Sequence, residues 1–262
     1  MKILTNIKTP RAFSKVREYA WIFTMLVAFG GLWVPKLGLL VFGVIFTLTV
    51  VSLTRGRFWC GNYCAHGSLF DRLLMPFSRN VKIPGILRSK YTQAAVFSLF
   101  MYNLTTKFIR VSYLWGTLPF WDRLGFVFVG SYLMVTIVGG LLGLIIAPRT
   151  WCQVCPMGMM QKLTYGLGKV LRLTAMSDKK VTISRSDKCV NCAKCARVCP
   201  MQLSPYTAFS TTRQFDNENC IRCSVCVESC PLRLLTLSTE SQAEDLIAIG
   251  QQSKRRMLSA SD

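Results

Sequence analysis

Apolar residues form long runs in the first two thirds of the chain and stop forming them in the last third. Residues 19–34 and 37–53 are apolar stretches of 16 and 17 residues, separated only by Pro35 and Lys36. Each is close to the shortest helix that crosses a bilayer, and the Pro-Lys break suits a helical hairpin with a tight turn. Residues 125–146 form the clearest span, 22 residues without a charge. Gly139 and Gly143 give it the small-xxx-small spacing that lets helices approach closely. Residues 92–108 are weaker, interrupted by Lys107 and diluted by Asn103 and threonines. They complete an even number of spans, which the charges require. From Asp178 the composition turns polar.

Only 17% of residues are charged, yet the net charge is +20. With 51% hydrophobic residues and a mean hydropathy of +0.35, this is the balance of a small inner-membrane protein. Lys2, Lys8, Arg11, Lys15 and Arg17 precede the first run. Arg55, Arg57, Arg72, Arg79, Lys82, Arg88 and Lys90 fill the connector after the second. The other side holds only Lys36, Lys107, Arg110 and Arg123. The positive-inside rule then predicts four helices, with both termini on the cytoplasmic side of a bacterial inner membrane. These cations sit on connectors between apolar runs, which argues against a nucleic-acid partner. No small-residue cleavage site follows Val34, so the first run reads as a retained helix and not as a signal peptide. The basic run Lys254, Arg255, Arg256 fits membrane contact or a solvated tail equally.

Twelve cysteines in tight groups within a long apolar chain point to metal ligation in a reducing compartment, not to a disulfide framework. Cys189-x2-Cys192-x2-Cys195-x3-Cys199-Pro200 is repeated as Cys220-x2-Cys223-x2-Cys226-x3-Cys230-Pro231. This is the run that binds [4Fe–4S] clusters in bacterial ferredoxins: three close cysteines wrap one cubane and the fourth ligates the other. Cys189, Cys192, Cys195 and Cys230 are expected to hold one cluster, and Cys220, Cys223, Cys226 and Cys199 the second. Zinc sites draw four ligands from two pairs, often with histidine, and no histidine lies near these cysteines. Lys188, Lys194, Arg197, Arg222 and Arg233 surround the motifs, either raising the cluster potentials or simply following the positive-inside bias.

The expected fold is therefore an α-helical membrane protein, four transmembrane helices in two repeated pairs, with a C-terminal α+β bacterial-type 2[4Fe–4S] ferredoxin domain. Its divisions are a basic segment 1–18, a membrane domain 19–177 with helices near 19–34, 37–53, 92–108 and 125–146, a ferredoxin-like domain 178–236, and a polar tail 237–262. The membrane halves also repeat in sequence. Arg57-Phe58-Trp59-Cys60 with Cys64 and Gly67 follows the second span. Arg149-Thr150-Trp151-Cys152 with Cys155 and Gly158 follows the fourth. Both pairs should emerge on one side, with the tryptophans at the interface belt and the arginines at the positive surface.

Over nearly all of residues 15–235 the chain resembles the NapH-type (NosR/NapH-related) membrane ferredoxins, on its apolar runs, its two cysteine pairs and its tandem cluster motif. The resemblance implies oxidation of quinol, or passage of its electrons through iron–sulfur clusters to a partner reductase. Two positions depart from that pattern: Ala65 replaces the proline expected after Cys64, and Cys152 and Cys155 are one residue closer than expected. The extra domains of larger relatives, such as a periplasmic flavin-binding domain, have no counterpart, so a minimal member without flavin is expected.

Three readings remain open for Cys60, Cys64, Cys152 and Cys155: a third cluster or metal site, a dithiol or metal relay, or structural cysteines at helix ends. His66, the sole histidine, excludes an intrachain bis-histidine haem, and no c-type haem motif exists. It could contact a quinone, with Asp71 as a nearby carboxylate, although a lone interfacial histidine is more often solvated. No nicotinamide-binding Gly-x-Gly-x-x-Gly is present. The expected function is electron transfer between the quinone pool and a partner redox protein within a lipid membrane. The alternative is an accessory factor that reduces or supplies metal to a partner metalloenzyme.

Overall fold

The computed structural model describes residues 7–8, 15–174, 177–210 and 212–246. Lys2, Arg11 and the basic run at 254–256 lie outside the described residues. The first apolar run is not one straight helix. α1 (Lys15–Tyr19) and α2 (Trp21–Met25) lead through a π turn (Leu26–Gly30) into α3 (Gly31–Trp33). Val34 leaves helical geometry, and a 3-10 turn at Pro35–Leu39 starts α4 (Leu40–Arg55). Proline suits that start because its missing N–H is not needed in a first turn. Val27 clusters with Val41, and Phe23 and Ile45 pack on the same cluster. The two segments therefore run antiparallel.

Two one-turn helices, α5 (Phe58–Asn62) and α6 (Ala65–Leu69), follow α4, and then α7 (Lys90–Ser112) and α8 (Phe120–Ile145). The last two extend beyond the apolar runs at 92–108 and 125–146. Helix propensity tolerates Lys90, Arg110 and Asp122, whereas hydrocarbon does not. α9 (Trp151–Val154) and α10 (Pro156–Val170) come next.

Two helical stretches among the described residues, Pro35–Arg55 and Phe120–Ile145, are long and apolar enough to cross a membrane. Only 22% of the most apolar window of each is buried within the protein, whereas a core helix of a soluble protein is mostly covered. Large side chains face outward on all four helical segments, with Leu26, Phe46, Leu99 and Ile137 at 46%, 70%, 64% and 52% exposure. Exposed apolar area on this scale marks an interaction surface.

The polar end is closed by an antiparallel pair, β1 (Lys180–Ile183) against β2 (Leu235–Ser238), in register from Lys180↔Ser238 to Ile183↔Leu235. Val181, Ile183, Phe215, Leu234 and Leu235 form its core. Between the strands lie two cysteine loops, each followed by a one-turn helix, α11 (Lys194–Arg197) and α12 (Val225–Glu228). Polar contacts seat this unit on the helix ends. Asn62 donates to the Arg222 carbonyl at 3.3 Å, Gln153 to the Met201 carbonyl at 3.2 Å, and Arg88 to Gln202 Oε1 at 2.9 Å. The Arg222 guanidinium reaches the Arg55 carbonyl and pairs with Asp178 at 2.7 Å.

Candidate iron–sulfur sites

The twelve cysteines line three cavities, four to each. Cys189, Cys192, Cys195 and Cys230 surround a space of about 30 Å³. Cys199, Cys220, Cys223 and Cys226 surround one of about 20 Å³. The fourth cysteine of each run therefore sits with the first three of the other. Burial, and then Cys223, pushes the Cys199 thiol up to about 12, and burial brings Cys220 to about 11. Such thiols stay protonated until a cation displaces the proton, as metal ligands do. Among the described residues no three His, Cys, Asp or Glu side chains are close enough to hold a single metal ion. A cubane asks for a wider arrangement, because each thiolate binds its own iron.

The cysteine loops hold left-handed backbone at matching places. Asn191, Ala193 and Gln202 have φ of 49°, 55° and 52°; Arg222, Ser224 and Arg233 have 51°, 61° and 49°. The offset between the two sets is that between Cys189 and Cys220. Alternating right- and left-handed residues turn successive backbone N–H groups into one concavity, a nest for an anion. Non-glycine residues pay about 1–2 kcal/mol for this conformation, which an anionic cluster in the nest can offset. Ser224→Gly is therefore expected to change stability by less than about 1 kcal/mol. Ser224→Val should cost about 1–2 kcal/mol and lower iron retention, checked by urea unfolding and iron content.

Cys60, Cys64, Cys152 and Cys155 line the third cavity, of about 120 Å³, together with side chains of α4, α7 and α8 such as Val41, Phe100 and Phe128. The two halves build it reciprocally. Arg57 donates to the Cys152 carbonyl at 2.8 Å, and Arg149 donates to the Cys60 carbonyl at 3.0 Å. A Cβ on Gly67 would lie 2.5 Å from the Arg149 guanidinium, and one on Gly158 2.7 Å from that of Arg57. The repeated Arg, Cys and Gly thus form one two-fold device, each arginine crossing to the opposite half. Burial, and then Cys60 and Cys152, pushes Cys155 up to about 12 and drives Cys64 upward too. Gln161 donates to Cys60 Sγ at 3.0 Å.

Arg57 and Arg149 are not at the positive surface where the sequence put them. They are 3% and 1% exposed, and Trp151 is buried with them. Asp71 pairs with Arg17 at 2.5 Å and Arg149 at 2.7 Å. Among the described residues, the buried charges here are Arg17, Arg57 and Arg149 against Asp71. Arg57 Nε has no hydrogen-bond partner. Buried positive charge in excess is costly unless an anion accompanies it, and four thiolates around a cluster supply one. The residues therefore fit a cluster here as well. The repeat itself was the signal that could have revealed the arginines, since Arg is duplicated together with Cys.

His66 is partly buried. It lines the third cavity, with Nε2 3.2 Å from Thr136 Oγ1 and its ring 4.7 Å from that of Tyr132. Burial pushes its pKa down to about 4, so the imidazole is neutral at physiological pH. Gly61 escaped notice in the sequence. A Cβ there would overlap the Ile221 carbonyl oxygen and come within 3.2 Å of Cys223 Cβ. The backbone beside Cys60 thus lies directly on the Cys220–Cys226 loop, and Cys60, Cys152, Met201 and Ile221 share one buried cluster.

No curated protein and no solved structure matches the chain. Two family models do. One, a 4Fe-4S dicluster domain, covers residues 180–231 and so all eight cysteines of the tandem motif. The other, a 4Fe-4S binding domain, matches twice, at 37–84 and 129–174, and so takes in each membrane-edge pair. The chain carries ferredoxin-type iron–sulfur binding domains, consistent with an iron–sulfur ferredoxin family.

Proposed function

We propose that this chain is a membrane-bound iron–sulfur protein that carries electrons from quinol to a partner redox enzyme. In this reading the cavities hold three [4Fe–4S] clusters: Cys60, Cys64, Cys152 and Cys155 at the membrane edge; Cys199, Cys220, Cys223 and Cys226 next; and Cys189, Cys192, Cys195 and Cys230 furthest out. Such clusters, when bound, supply one-electron carriers. The contact of Gly61 with Ile221 and Cys223 carries the proposal, because it sets the membrane-edge thiols against the middle loop. Cys192 is exposed, which leaves the outer site open to a partner. The membrane placement of four spans and the cytoplasmic side of the ferredoxin unit rest on the outward apolar side chains and on the basic connector. Within the family resembled, a NapH-type member is the reading that these features favour.

The chain's own residues have separable tasks. Arg57 and Arg149 bind the two halves together and neutralise the thiolates. Aliphatic and aromatic side chains of α4, α7 and α8 keep water from the membrane-edge site and offer an apolar approach to a quinol ring. His66, neutral and anchored on Thr136, is positioned beside that approach. Anaerobic addition of a soluble quinol to purified protein tests the reading. Reduction of the clusters at a catalytic rate, slowed by Gly61→Val, is expected. Absence of reduction, with failed partner assembly when the protein is missing from cells, would favour a maturation factor instead.

A further inference from the structure

A fourth, charged cavity of about 320 Å³ lies beside the membrane-edge site, with Arg57 and Gln161 lining both. It is lined by Arg57, Lys90, Lys162, Lys169 and Arg222, with Asp216 and Glu218 as the acids and the middle-site Cys220 at its edge. Two ion pairs nearby are already committed. Arg222 pairs with Asp178 at 2.7 Å, and Asp216 pairs with Lys180 at 3.2 Å. Three of the other cations have neutral hydrogen-bond or ring partners, and Glu218 also acts on Lys162. Lys162 donates to Gln93 Oε1 at 2.7 Å, Lys169 lies 4.8 Å over the Tyr165 ring, and Arg57 donates to a carbonyl while its buried Nε is unpartnered. Burial, and then Arg57, pushes Lys162 down to about 8. The cavity thus holds more positive charge than its acids balance.

Its wall is a helix built for an interface. α10 turns Leu163, Leu167 and Val170 outward, at 54%, 54% and 79% exposure. Spaced at i, i+4 and i+7, they share one face, with Lys162 and Lys169 flanking it. An amphipathic helix of this kind lies along a membrane surface and holds its cations at headgroup depth.

We propose that this cavity binds a phosphoryl anion, held between Lys162, Lys169 and Lys90 beside Arg57. A phospholipid headgroup and free phosphate both carry that chemistry. The headgroup source rests on the membrane placement of α10 given above, and not on the third cluster. An anion here would also reach the electron path, because Arg57 lines this cavity and that of the thiols.

Native mass spectrometry of the full chain in detergent tests it, with short-chain phosphatidylglycerol, short-chain phosphatidylcholine and inorganic phosphate as separate probes. The variants are Lys162→Gln/Lys169→Gln and, as a control, Arg172→Gln, an exposed cation outside the cavity. Phosphatidylglycerol should bind and phosphatidylcholine should not. The double variant should bind about thirtyfold more weakly, and the control should be unchanged. Phosphate binding that shows the same dependence on Lys162 and Lys169, and displaces the lipid, would support the site with free phosphate as its source. Equal weakening in the control, or none in the double variant, would overturn the proposal. Release of the protein from membranes by alkaline washing would instead sink the membrane placement, a result independent of these binding curves.

Discussion

Asp71→Asn is expected to destabilise the protein by about 3–5 kcal/mol. Asp71, Arg17 and Arg149 are 7%, 4% and 1% exposed. Removing the carboxylate charge takes away the ion partner that Arg17 and Arg149 share, while both guanidinium groups keep their desolvation cost. The damage should not stop at stability. Arg149 also donates to the Cys60 carbonyl, so its displacement would loosen the membrane-edge thiols. Urea unfolding in detergent would read the first effect as a lower midpoint. The second should appear as iron lost from that site, with the two ferredoxin clusters retained.

Cys230→Ser and Cys199→Ser should each remove one ferredoxin cluster, about four irons per chain, but not the one nearest in sequence. Cys230 lines its cavity with Cys189, Cys192 and Cys195, so its loss should spare the Cys220–Cys226 loop. Cys199 lines the other, and its loss should strip that loop. Cys199→Ser should also block quinol reduction of the outer site, since the middle site lies between it and the membrane edge. Cys230→Ser should leave reduction of the middle site intact. EPR of the reduced variants distinguishes the two. Loss of the sequence-adjacent cluster in either variant would contradict the crossed arrangement.

The ferredoxin cavities were legible because their signal is local. Three cysteines three residues apart, then Cys-Pro, fix a loop shape wherever the chain goes, and the second copy fixes the partner. The apolar runs were legible as helices for a related reason, though not the π turn at Leu26–Gly30, which depends on packing. The membrane-edge site was harder. Arg57 and Arg149 read as surface cations because sequence carries no mark of burial for arginine. Only tertiary structure decides whether a carbonyl from the opposite half is within reach. Asp71 sits five residues after His66 in sequence, but its partners Arg17 and Arg149 lie 54 and 78 residues away, a link no local pattern carries. Gly61 carries no local signal, since its close neighbour, Ile221, lies far along the chain.

The most direct test is iron and acid-labile sulfide per chain, with EPR, before and after Cys60 and Cys152 are both changed to Ser. The account predicts about twelve irons in the native protein, falling to about eight in the variant with the ferredoxin signals intact. About eight irons in both would contradict it, leaving the membrane-edge cysteines without a cluster.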